Sequence, residues 1–132
     1  EGAAAVCRAL AGKTCLEVLD MNDNNFKEEG VTALLAAMSD WGKLSSLNLG
    51  DCMLEGRVGE ILSALTNHCP LLEELDLSYD DIGEDEEPLL VELVKKMPNL
   101  KLLNVNGNCL KPDTVTEIKE ALQNEEALGS LS

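Results

Sequence analysis

The residues best equipped for chemistry in this 132-residue chain are its carboxylates: 25 acidic side chains against 10 lysines and arginines, a net charge of −15. Nine of them fall between Glu73 and Glu87 with no basic residue among them. A block of that kind repels nucleic acid, and it reads either as a solvated rim that keeps the chain soluble or as a surface that draws in a basic protein. A second grouping, Asp20-Met-Asn22-Asp-Asn24, has the oxygen spacing that opens a calcium loop. That loop also needs glycine at its sixth position and glutamate at its twelfth, where this chain carries Asn25 and Val31, so no metal is expected. His68, the one histidine, stands beside Cys69-Pro70 in what reads as a surface loop, with no serine or cysteine placed to complete a triad. There is no Gly-Lys-Ser/Thr phosphate loop either. No catalytic residue and no cofactor is therefore expected. The five cysteines are odd in number and contain no Cys-x-x-Cys pair, which argues against a disulfide framework or a zinc site. They fit a reducing compartment, and the cytoplasm is the expected location.

What must position these side chains is a repeat. The skeleton Leu72-x-x-Leu75-x-Leu77-x-x-Asp80-x-Ile82 recurs as Leu16-x-x-Leu19-x-Met21-x-x-Asn24-x-Phe26, as Leu44-x-x-Leu47-x-Leu49-x-x-Cys52-x-Leu54, and as Leu100-x-x-Leu103-x-Val105-x-x-Asn108-x-Leu110. The starting positions 16, 44, 72 and 100 are 28 residues apart, which makes the chain a tandem array. It divides into a half repeat at 1–15, full repeats at 16–43, 44–71, 72–99 and 100–127, and the start of a final strand at 128–132. The mid-repeat start reads as a cut from a longer array. It leaves a strand at 18–22 with an open edge, and end-to-end self-association is an expectation on that account.

Within each repeat the Leu-x-Leu alternation is that of a short strand with one face buried. After it, apolar residues follow helical spacing, as in Val31, Leu34 and Met38, or Leu89, Leu90, Leu93 and Val94. Parallel strands pack at about 4.8 Å and helices at about 8–10 Å, so the helix side fans outward and the sheet closes into a concave face. The predicted fold is an α/β leucine-rich-repeat horseshoe, a right-handed βα solenoid of the ribonuclease-inhibitor kind. No apolar run approaches the length needed to cross a bilayer.

The alternation also assigns the exposed positions. Asp20, Asn48, Asp76 and Asn104 form one ladder across the concave face, and Asn22, Gly50, Ser78 and Asn106 the next. The loop rim adds Asp23, Asp51, Tyr79 and Gly107, then Asp81 and the run Glu84-Asp85-Glu86-Glu87. Asp20, Asn22, Asp23, Asn48, Asp51, Asp76, Tyr79, Asp81, Glu84 and Asp85 are the candidate partner-binding residues. Asn24, Cys52, Asp80 and Asn108 share the position where the chain leaves the strand. There an amide can both donate and accept, whereas Cys52 and Asp80 do only part of this, so looser turns are expected in the second and third full repeats.

In this register the chain resembles the C-terminal repeats of the Ran GTPase-activating protein family. The resemblance lies in Leu16-Glu-Val-Leu-Asp-Met-Asn-Asp-Asn24, Leu47-Asn-Leu-Gly-Asp-Cys52-Met-Leu54, Leu72-Glu-Glu-Leu-Asp-Leu77 and Met97-Pro-Asn-Leu-Lys-Leu-Leu-Asn-Val-Asn-Gly-Asn108. It implies a part in accelerating GTP hydrolysis by Ran, in nucleocytoplasmic transport, at the cytoplasm or the cytoplasmic face of the nuclear envelope. The family's catalytic loop has His-Asn-Asn-Gly-Leu-Gly character and lies in its N-terminal repeats. The nearest match here, Asp23-Asn24-Asn25-Phe26, falls on an ordinary ladder position, so this segment is expected to supply scaffold and acidic surface rather than that loop. A protein-interaction scaffold from another ribonuclease-inhibitor-like protein, such as an actin-capping or immune-receptor array, is the alternative.

Overall fold

The computed structural model describes residues 2–122. The expected final strand at 128–132 lies outside them. Helices and strands alternate along the chain: α1 Gly2–Leu10, β1 Val18–Asp20, α2 Lys27–Met38, β2 Ser46–Asn48, α3 Val58–His68, β3 Glu74–Asp76, α4 Glu87–Lys96, β4 Leu102–Asn104 and α5 Pro112–Leu122. The four strands make one parallel sheet in the order β1-β2-β3-β4, centred on Leu19, Leu47, Leu75 and Leu103. Register follows the repeat, since Leu19 faces Leu47, Leu47 faces Leu75, and Leu75 faces Leu103.

Each strand is only three residues long, yet backbone pairing continues beyond it. The N–H groups of Met21, Leu49 and Leu77 donate to the Asn48, Asp76 and Asn104 carbonyls, and those of Asp23, Asp51 and Tyr79 donate to Gly50, Ser78 and Asn106. The strand expected at 18–22 thus ends at Asp20, although its hydrogen bonding does not.

The core lies between sheet and helices. Leu44, Leu47, Leu49, Leu72, Leu75, Leu77 and Leu103 stack from the sheet side, while Leu34, Ile61, Leu62, Leu65, Leu90 and Leu93 close it from the helices. The N-terminal end is filled by larger side chains, Phe26 and Trp41, both fully buried. Trp41 satisfies its indole N–H by donating to the Leu10 carbonyl at 3.2 Å, which ties α1 to the first full repeat. Burial pushes the Cys7, Cys52 and Cys69 thiols up to about 11, so these three behave as small apolar side chains. His68 is exposed as expected, but it ends α3 rather than sitting in the loop after it. No helix among the described residues is long and apolar enough to cross a membrane.

Candidate partner-binding face

Four side chains in register close each strand in the same way. Asp20, Asn48, Asp76 and Asn104 each turn an Oδ1 back to accept the N–H two residues on, from Asn22 (3.0 Å), Gly50 (2.9 Å), Ser78 (2.9 Å) and Asn106 (3.0 Å). This is the local bond that makes Asp and Asn good turn residues, and it holds the first ladder of the concave face in one geometry. Ser78 adds its hydroxyl to the same Asp76 oxygen at 2.7 Å. The other Asp76 oxygen accepts the Asn104 amide at 3.3 Å, so neighbouring strands are linked across the face.

One residue later the rim begins, with a backbone requirement that the sequence reading did not contain. Asp23, Asp51 and Tyr79 all have φ between 53° and 62°, and the matching residue of the fourth full repeat is Gly107 at φ 76°. A left-handed residue costs little for glycine and about 1–2 kcal/mol for others, so three of four repeats hold a strained residue at the lip of the concave face. The second and third repeats also have a left-handed residue directly after the ladder position, at Met53 and Asp81, and the first and second have one three places after it, at Lys27 and Glu55. Met53 and Asp81 fall in the two turns where the ladder carries Cys52 and Asp80 in place of asparagine.

Asn108 shows what the ladder position does. Its Oδ1 accepts the N–H groups of Asp80 (3.2 Å) and Ile82 (2.9 Å), and its amide donates to the carbonyls of Leu77 (2.9 Å) and Val105 (3.1 Å). Cys52 keeps the donor half, with its thiol on the Met21 carbonyl at 3.0 Å. Asp80 keeps the acceptor half, taking the Cys52 N–H at 2.9 Å. Asn24, at the start of the array, is exposed and bonds only to the Met21 and Asn22 carbonyls of its own repeat.

The ten candidate residues lie on strands, on the turns after them and on the approach to α4. Asp20, Asn48 and Asp76 lie side by side on the sheet; Asn22, Asp23, Asp51, Tyr79 and Asp81 follow on the adjoining turns. The Tyr79 ring, 60% exposed, lies over Gly107. Glu84 and Asp85 stand apart, toward the helix entries. Glu84 pairs with Lys111 at 2.9 Å, which holds its carboxyl below the usual range. Asp85 lines a groove with Arg57, Gly59 and Glu60. The expected solvated run at 84–87 is also corrected at its end. Glu86 is half-buried, with Oε1 on the Gly83 N–H at 2.8 Å. Glu87 is buried in the first turn of α4, where one oxygen takes the Thr114 hydroxyl and the Lys111 N–H. The signal for this was in the register: Glu87 stands 56 residues from the buried Val31.

Comparison with known proteins agrees with this architecture. The sequence model of the Leucine Rich repeat family matches residues 12–35. The chain is 32% identical over 135 aligned residues to RAN GTPase-activating protein 2 of Arabidopsis thaliana, covering 99% of this chain and 25% of that protein. It is also 32% identical over 105 residues to Ran GTPase-activating protein 1 of Saccharomyces cerevisiae, covering 75% of this chain and 26% of the relative. The chain is a leucine-rich-repeat region like that of the Ran GTPase-activating proteins. It spans about one quarter of the length of these two curated relatives. A rat NACHT, LRR and PYD domains-containing protein is 30% identical over 106 residues, covering 79% of this chain and 9% of that protein. Among solved structures, the tropomodulin C-terminal domain of Caenorhabditis elegans superposes with a TM-score of 0.71 over 99% of this chain and 81% of that one, at 14% identity. That likeness speaks for the fold.

Proposed function

We propose that this repeat region is the scaffold and partner-facing part of a GTPase activator for Ran, with the catalytic loop supplied from outside residues 1–132. The observation that carries the reading is the similarity along 99% of the chain to a protein named for activating the Ran GTPase. The concave face and rim supply the chemistry of attraction: Asp20, Asn22, Asp23, Asn48, Asp51, Asp76, Tyr79 and Asp81 present carboxylates, amides and one exposed ring to a basic partner surface, and a field of that sign speeds encounter. GTP hydrolysis depends on orienting the attacking water and stabilising charge at the phosphates, and acidic groups on a rim do neither. Asn24, the residue nearest in type to a catalytic asparagine, is engaged with the Met21 carbonyl at 2.8 Å. In this reading the protein works in the cytoplasm, including the cytoplasmic face of the nuclear envelope.

The test is a titration of this chain against GTP-loaded Ran at two salt concentrations, with hydrolysis followed in parallel. The expected result is weak binding that fades as salt shortens the Debye length below about 8–10 Å, and no stimulation of hydrolysis. Stimulated hydrolysis by the chain alone would place chemistry inside it. A second reading, an interaction scaffold of the immune-receptor kind, draws on the 30% identity to the rat NACHT-containing protein. Absence of any Ran binding at low salt would favour it.

A further inference from the structure

The ladder of turn residues contains a group that does not fit its position as a charged species. Where Asn108 donates an amide N–H to the strand-end carbonyl of the preceding repeat and to one of its own, Asp80 carries Oδ2. Asp80 is 5% exposed, and Oδ2 is buried with no hydrogen-bond partner, whereas Oδ1 is matched to the Cys52 N–H. In repeat terms the groups that Asn108 reaches at Leu77 and Val105 correspond to Leu49 and Leu77 around Asp80, 28 residues earlier. Those groups are carbonyls, acceptors like the carboxylate itself. An ionised oxygen there meets no donor, while a protonated one has the hydrogen that the position calls for.

We infer that Asp80 acts as a proton-dependent latch between the second and third full repeats: protonated, it substitutes for the ladder asparagine and ties its own turn, which carries Tyr79 and Asp81, to the repeat before it; ionised, it keeps only the Cys52 N–H bond. The charged surroundings act in one direction. Its own repeat presents Asp76 and Asp81, the second repeat presents Asp51 and the Cys52 thiol, and the fourth repeat presents only the neutral Asn108 amide. Burial pushes the Asp80 carboxyl up to about 7; the Cys52 N–H pulls it back, and the Asp76, Asp51 and Asp81 carboxylates add to the rise. A carboxyl raised in the folded state binds more protons there than in the unfolded chain. The stability it gives is therefore complete at low pH and is lost as pH rises from about 4 toward 7. Because Tyr79 and Asp81 belong to the proposed Ran-facing rim, the latch rests on that reading only for its use, not for its existence.

The experiment compares the parent chain with Asp80→Asn by urea denaturation at pH 5.5 and pH 8, with the side-chain carboxyl 13C shift of Asp80 followed over the same range. The parent's folding equilibrium constant should fall by about ten- to thirtyfold more than that of the variant, and the Asp80 signal should titrate near neutrality. The reciprocal variant Asn108→Asp places the same oxygen in the fourth repeat and should acquire a similar slope. Equal pH slopes for parent and Asp80→Asn, or an Asp80 signal titrating near 4, would overturn the inference. None of these measurements involves Ran, so a failure to bind Ran leaves the latch standing, and a failed latch leaves the proposed function standing.

Discussion

Removing the amide of Asn108 tests the role of the ladder more directly than any core deletion. Asn108→Ala strands two N–H groups, those of Asp80 and Ile82, and two carbonyls, those of Leu77 and Val105. An unpaired buried backbone group costs about 1–3 kcal/mol, so the four together set a ceiling of ~12 kcal/mol. The ceiling is not reached, because the vacated amide leaves room for one water, and a buried water typically makes about three hydrogen bonds. Backbone relaxation recovers a little more. The expected loss is ~3–5 kcal/mol. Asn24→Ala is the internal control: the residue type and repeat position are the same, but Asn24 is exposed and bulk water replaces its two bonds, so ~0.5–1 kcal/mol is expected. Urea denaturation followed by far-ultraviolet circular dichroism, with equal m-values, gives both numbers. Equal losses at the two positions would refute the claim that the ladder works through buried bonds between repeats.

Leu75→Ala deletes a fully packed side chain between two strands and should cost ~2–5 kcal/mol; a denaturation midpoint matching the parent would remove Leu75 from the core. Gly107→Ala combines a left-handed backbone with a Cβ driven into the Tyr79 ring, and should cost ~2–4 kcal/mol. In a Tyr79→Ala background the clash is gone and only ~1–2 kcal/mol should remain, so strict additivity in this double-mutant cycle would mean the ring does not cover Gly107. Glu87→Ala should destabilise by ~1–3 kcal/mol through Thr114 and Lys111, whereas Glu84→Ala a few residues away should leave thermal stability unchanged. A comparable loss from both would show that the acidic run behaves as one surface.

The repeat made most of this legible. Strand centres, register and the inward columns follow from a 28-residue period, because a residue stacked on its equivalents must share their environment. At Glu87 the equivalence outweighs the neighbours in sequence. Glu87 looked solvated beside Glu84 and Asp85, yet it shares a column with Val31. The left-handed rim positions were hidden for another reason. Asp23, Asp51, Tyr79 and Gly107 share a backbone conformation and no side-chain type, and only one of them is the glycine that advertises it. The helix entries are likewise settled by tertiary partners, as Glu87 shows with Thr114, and local sequence does not display those.

The ladder also gives the array a direction. Cys52 reaches back to Met21, Asp80 to the Cys52 N–H, and Asn108 to Leu77, Asp80 and Ile82. Each turn is thus completed by the repeat that follows it. Loss of the first full repeat takes away the carbonyl that the Cys52 thiol uses and leaves the later turns intact. Loss of the fourth strips the Asp80 and Ile82 N–H groups of the one oxygen they share. The strand entries run the opposite way, with the N–H groups of Ser45 and Ser46 on the Glu17 carbonyl, those of Glu73 and Glu74 on Ser45, and those of Lys101 and Leu102 on Glu73, so a lost repeat unfastens its neighbours at different places: the turn of the repeat before it and the strand entry of the repeat after it.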